Sequence, residues 1–193
     1  MFALLSGVIA LMSLRGLAAP LDLVMPNMAH FLQDAPMALW GHVLGAPLVL
    51  ALAPVQLSRS LRARWPLAHR ISGRLYALGV LIAGLSALAL VPTSIASPFA
   101  RAGFTALALC WIAFTARGIW LARAGDYTAH RAWMLRSLAL TFAAVTLRVI
   151  MVPLMASGWS VAQTYDVTAW GSWVPSLILV ELYLRRRPPA LLA

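Results

Sequence analysis

Apolar residues run along the chain in blocks long enough to cross a bilayer, and arginines, prolines and acidic residues collect in the short clusters between them. A span needs roughly 20 mostly apolar residues at about 1.5 Å rise each. Such blocks occupy residues 36–57, 71–91, 102–121, 132–155 and 169–184, and a sixth, residues 2–19, is interrupted by Arg15. The pattern predicts an all-α fold, a polytopic transmembrane helix bundle of six spans, or five if the N-terminal segment is cleaved. Leu17-Ala18-Ala19 resembles the small-residue end of a signal peptide, but neither Lys nor Arg follows Met1, so the block reads as a span with Arg15 snorkelling at its outer end. The chain divides into an N-terminal span and outer loop (1–35), a helical membrane core (36–185) and a tail (186–193).

Within the core, Pro47 and Pro54 should kink the second span or break it near its inner end. Gly79, Ala83 and Ala87 on the third span, and Ala139 and Ala143 on the fifth, are spaced for close helix packing. The segments AHRISGRLYAL from Ala68 and AHRAWMLRSLAL from Ala129 resemble each other. They make the second and third spans, and the fourth and fifth, candidates for a weak internal repeat of parallel hairpins.

Composition agrees with the pattern. The chain has 193 residues, of which 62% are hydrophobic and only 10% charged. An ordinary soluble domain is about 45–50% apolar and about 25% charged, so a soluble globular domain, a disordered chain and a coiled coil are excluded. The net charge is +10 and every basic residue is Arg. Arginines follow the second span (Arg59, Arg62, Arg64, Arg70), surround the turn after the fourth (Arg117, Arg123, Arg131, Arg136) and close the chain (Arg185, Arg186, Arg187). In a six-span arrangement these fall on one side. The positive-inside rule makes that side the cytoplasm of a bacterial inner membrane, with both termini there. Trp40, Trp159, Trp170 and Trp173 mark the outer headgroup level, and Trp65, Trp120 and Trp133 the inner one. Trp111 alone falls mid-span. The arginines read as a response to membrane lipid and not to nucleic acid. A single cysteine, Cys110, excludes an intrachain disulfide and a cysteine-based zinc site.

Ionisable groups in a membrane are costly and each is a candidate site residue. His42 lies about six residues into the second span, beside Trp40 and Gly45, where a flat ligand would have room. His69 and His130 open the third and fifth spans at one depth; they are candidate axial ligands of a haem iron, with Arg70 or Arg131 available to pair with propionates. The alternative is that each His-Arg pair anchors a helix at the phosphate level. Arg148 follows His130 by five helical turns, about 27 Å along the axis, and Ser137 and Thr141 fall close to the line between them. It suits an anion, a propionate or a quinone oxygen, or else a structural pair with Asp34 or Asp166. Glu181 is placed to pair with Arg185 four residues on, and Gln56 and Tyr76 to line an inner cavity. No P-loop, dinucleotide glycine pattern or zinc-protease motif is present.

The chain also carries an ordered set of short motifs. His-x-x-Gly (His42 to Gly45) and Pro-x-Gln (Pro54, Gln56) precede Leu-Arg-x-Arg-x-Pro (Leu61 to Pro66) and His-Arg-x-x-Gly-Arg-x-Tyr (His69 to Tyr76). Gly-Asp-x-x-x-His-Arg-x-Trp-Met-x-Arg-Ser (Gly125 to Ser137) and Leu-Arg (Leu147, Arg148) follow. In these motifs residues 36–185 resemble the uncharacterised bacterial membrane family known as domain of unknown function 2306. The resemblance implies a helical membrane fold and no particular activity. Pro54 departs from it, standing where a Gly is expected. A weaker similarity, in the His-Arg-x-x-Gly helix start, is to b-type cytochromes and ferric-reductase-like membrane domains. Those carry a second His about four turns further on, where this chain has apolar Ile82 to Leu85, so the similarity implies at most one bis-His site.

Together these readings set three expectations for function. The first is a non-enzymatic subunit or scaffold that meets other membrane subunits. The second is a redox protein binding haem b or quinone, with His69 and His130 at the iron and His42 with Arg148 in an outer polar pocket. The third is a transporter or lipid-handling protein holding an anion near Arg148.

Overall fold

The computed structural model describes residues 2–186; Arg187 and the rest of the expected tail lie outside the described residues. Every regular element among the described residues is helical. Five helices are long and apolar enough to cross a membrane, and a shorter apolar helix, Ala3–Leu17, precedes them. The polytopic helical fold expected from the sequence is the one the chain adopts. It forms two compact units, Met1–Ala96 and Ser97–Ala193.

In the first unit, α1 (Phe2–Ser13) tightens into a 3-10 turn at Leu14–Leu17. It packs on α2 (Pro36–Leu57), which pairs extensively with α3 (Pro66–Leu90). Glycine makes the second pairing close. A Cβ on Gly45 would stand 3.2 Å from the Ala83 Cβ and 3.3 Å from the Ala83 backbone nitrogen. Gly79 and Ala83, two members of the small-residue series on the third span, are therefore where the backbones approach. The space beside Gly45 is filled by α3. Helix α2 continues through Pro47 and Pro54, forgoing the bonds their missing N–H groups would make, and ends at Leu57. The segment before α2 is more than a tether. Its Leu21, Met25 and Phe31 are buried with Leu39, Val43 and Leu90, capping one end of the α2–α3 pair.

In the second unit, α4 (Pro98–Arg123) and α5 (Tyr127–Ala156) form a tight hairpin. Gly125 turns it with φ +82°, a conformation that favours glycine. The Asp126 N–H bonds the Leu121 carbonyl (3.0 Å) and the Gly125 N–H that of Ala122 (3.3 Å), a Schellman closure. Asp126 then caps α5 by accepting from the Ala129 N–H at 2.9 Å. Gly158, at φ +88°, ends α5 in the same way. Ser160 and Gln163 form a reciprocal capping box that starts α6 (Val161–Gly171). The last span thus begins eight residues earlier than its hydropathy suggested, because a cap rather than an apolar residue sets its start. It is also interrupted. Pro175 has no N–H for the Gly171 carbonyl, and the chain breaks at Ser172-Trp173 before α7 (Val174–Arg185).

Substituting Gly45 with Leu should destabilise the α2–α3 pairing by about 1–3 kcal/mol, whereas Gly7→Ala, whose added Cβ meets nothing within 4 Å, should leave stability unchanged or raise it by up to about 1 kcal/mol. Thermal unfolding of the two purified variants in one detergent compares them.

Candidate functional site

The polar stripe on α5 is directed at α4. The Ser137 Oγ shares a hydrogen with the Thr115 Oγ1 at 2.7 Å, and Thr141 accepts from the Trp111 indole N–H at 2.9 Å. His130 adds a third bond at the turn end, its Nδ1 lying 2.8 Å from the Gly118 carbonyl. Ser137, Thr141 and Thr115 are buried. The residue pairs 130/118, 137/115 and 141/111 run in antiparallel order, so the bonds form a zipper that fixes the axial register of the hairpin. Trp111, the one mid-span tryptophan of the sequence, was legible as half of this. An indole N–H in hydrocarbon requires an acceptor, and Thr141 already lay on the stripe.

A carbonyl only accepts, so the His130 Nδ1 carries a proton. The same holds for His42, whose Nδ1 lies 3.1 Å from the Ala83 carbonyl across the α2–α3 contact. An Nδ1–H given to a backbone carbonyl is also the contact that orients metal-ligating histidines. Near the other end of that pair, the Gln56 amide donates to the Ser72 Oγ (2.7 Å) and to the His69 carbonyl (3.5 Å). Gln56 therefore ties α2 to the start of α3, and Tyr76 is fully buried. His69 itself is half-buried and Arg70 exposed.

These positions do not converge within either unit. His42 and Gln56 are 14 residues apart on one helix, about 21 Å, so His42 and His69 mark opposite ends of the α2–α3 pair. His130 and Arg148 are separated by about 27 Å along α5. Arg148 is half-buried, and its Nη1 donates to the Ala144 carbonyl of its own helix at 2.8 Å. It lies within electrostatic range of the Tyr165 phenol, whose ring meets Phe104 edge-on at 5.6 Å. Asp166, one partner suggested for it, accepts from the Ser97 hydroxyl. Arg131 is half-buried one residue beyond His130. Among the described residues, no group of three or more His, Cys, Asp or Glu is gathered as for a metal ion.

Glu181 corrects a sequence expectation. Its carboxylate is held by Arg136 of α5 in a fork, with Nε to Oε1 at 2.5 Å and Nη2 to Oε2 at 2.9 Å. The guanidinium also lies 4.8 Å from the Trp133 ring centroid. Arg185 satisfies the helical spacing, but α7 packs on α5 and brings the planar fork of Arg136 against both carboxylate oxygens. A double-mutant cycle with Arg136→Gln and Glu181→Gln should give a coupling of about 1–3 kcal/mol, whereas Arg185→Gln should alter stability by less than about 0.5 kcal/mol.

The motif from Gly125 to Ser137 is therefore accounted for nearly residue by residue. Gly125 turns the chain, Asp126 caps, His130 reaches Gly118, Arg136 takes Glu181 and Ser137 meets Thr115. Met134 lies against Gly118, where a Cβ would come within 2.7 Å of its sulfur. No curated protein and no solved structure matches the chain. Residues 39–184 match the family described as predicted membrane protein, domain of unknown function 2306, and since that span is well over half of the chain, the protein belongs to this membrane family.

Proposed function

We propose that this protein is a non-enzymatic subunit or scaffold of a larger assembly in a bacterial inner membrane, with both termini on the cytoplasmic side. The observation that carries the reading is where the polar groups of the long helices are directed. His42, Gln56, Trp111, Thr115, His130, Arg136, Ser137 and Glu181 each make a bond that joins one helix to another. Polar chemistry placed in this way holds helices in register, the task of a structural membrane unit. The same helices leave long apolar side chains outward, among them Leu78 at 54% and Leu179 at 66% exposure, for lipid or a neighbouring subunit. The placement of the arginines supports the orientation.

A second reading is favoured by the histidine geometry. An imidazole whose Nδ1–H is given to a backbone carbonyl presents its Nε2 lone pair, the arrangement of an axial haem ligand. His130 makes that Nδ1 contact. On this reading His130 would be a ligand of haem b with Arg131 near a propionate, and a quinone would be the partner of Arg148.

Mild-detergent extraction followed by native mass measurement tests the first reading. The expected result is a complex of fixed stoichiometry with a distinct membrane partner; a homogeneous species containing this chain alone overturns it. A reduced-minus-oxidised visible spectrum of protein made with ample haem tests the second. A sharp α-band that disappears in His130→Ala would establish a b-type haem, and a flat spectrum would eliminate it.

A further inference from the structure

We propose that the turn between α2 and α3 is a binding site for the phosphate headgroups of anionic phospholipids. A short helix, Arg59–Arg64, bridges the two spans and places Arg59, Arg62 and Arg64 within two turns. Arg70 and Arg74, one turn apart on α3, follow, and all but the half-buried Arg62 are exposed. No carboxylate competes for them in sequence, since no Asp or Glu occurs between Asp34 and Asp126. Within this unit the only acids are Asp22 and Asp34, which precede α2, whereas the arginines follow it. The second unit differs, because its Arg136 is taken by Glu181 and Asp126 stands in its turn.

Three features make the turn a fixed cationic surface. The Ser58 Oγ caps the short helix by accepting from the Leu61 N–H at 3.2 Å. The Trp65 N–H closes on the Leu61 carbonyl at 2.7 Å, and the Gln56–Ser72 bond clamps the two spans beneath. The guanidinium groups therefore project from backbone that is already ordered, which lowers the entropic cost of binding. Guanidinium forks match phosphate oxygens two at a time, a geometry that lysine lacks.

The surroundings select a lipid over soluble phosphate. Trp65 is 66% exposed, Leu67 68% and Ile71 49%, directly after the arginines and at the start of an apolar helix. An indole at headgroup level with aliphatic side chains beside it suits a phosphate that brings acyl chains. A free anion would gain nothing from that apolar margin. The inference is independent of whether the chain is a scaffold or a haem protein, and it requires only that α2 and α3 cross a bilayer.

The test is native mass spectrometry of the full chain in detergent, titrated with phosphatidylglycerol and separately with phosphatidylcholine. Phosphatidylglycerol should be retained about tenfold or more above phosphatidylcholine, and Arg59→Gln/Arg62→Gln/Arg64→Gln should remove most of that preference. Arg117→Gln/Arg123→Gln in the second unit should leave most of it in place. Retention should also fall as salt is raised, a measurement on the unaltered chain that decides the matter if the triple variant does not fold. Equal retention of the two lipids, a salt-independent preference, or an unchanged preference in the folded triple variant would overturn the proposal. So would displacement of the lipid by an equal concentration of inorganic phosphate, which would assign the site to a soluble anion.

Discussion

A polar hydrogen without an acceptor costs several kcal/mol in hydrocarbon, because no water is present to take its place. That constraint organises this protein. The Trp111 N–H, the Thr115 and Ser137 hydroxyls and the His130 Nδ1–H all find acceptors, and the inter-helical ones lie across a single contact, α4 against α5. Sliding one helix past the other would leave several of them unpaired together. Apolar packing between membrane helices is poor at defining register, since lipid tails solvate leucine as well as leucine does. A few directional bonds supply the definition.

The α2–α3 pair reaches the same end by another balance. Gly45 approaches Gly79 and Ala83 closely, and the His42 Nδ1 lies 3.1 Å from the Ala83 carbonyl at the same contact. The Gln56–Ser72 bond stands about four turns from His42 along α2 and ties α2 to the start of α3. Steric fit and one hydrogen bond act together at the glycine contact, and a second hydrogen bond holds the pair beside its turn. The segment from Leu21 to Phe31 covers the end of the pair away from that turn with buried apolar side chains.

The paired Ala-His-Arg segments also differ in how they are used. The His130 ring reaches across its hairpin, and at His69 the backbone carbonyl accepts from Gln56. This bears on function, since a ring already oriented by a backbone carbonyl offers a defined nitrogen for ligation.

Much of the fold was legible in the sequence. The second span, Pro36–Leu57, matches its apolar block at both ends because a proline and a polar cluster delimit it. Spans whose ends are set by caps were misjudged: α6 starts at a Ser160–Gln163 box that hydropathy does not register, and the span is interrupted at Ser172-Trp173 because Pro175 lacks an N–H, which hydropathy does not register either. The stripe on α5 was visible as a period in the sequence. Its meaning was not, because a period says which residues share a face and nothing of what that face meets. Glu181 shows the same limit, since Arg185 and Arg136 were equally plausible in charge and only the packing of α7 on α5 selected Arg136. The sequence by itself determined that the chain is a membrane-spanning helical protein, for hydrophobic length and arginine placement are properties of local segments. Tertiary structure alone decided what each polar side chain does, because hydrogen-bond partners on another helix are set by axial register, which local composition does not encode.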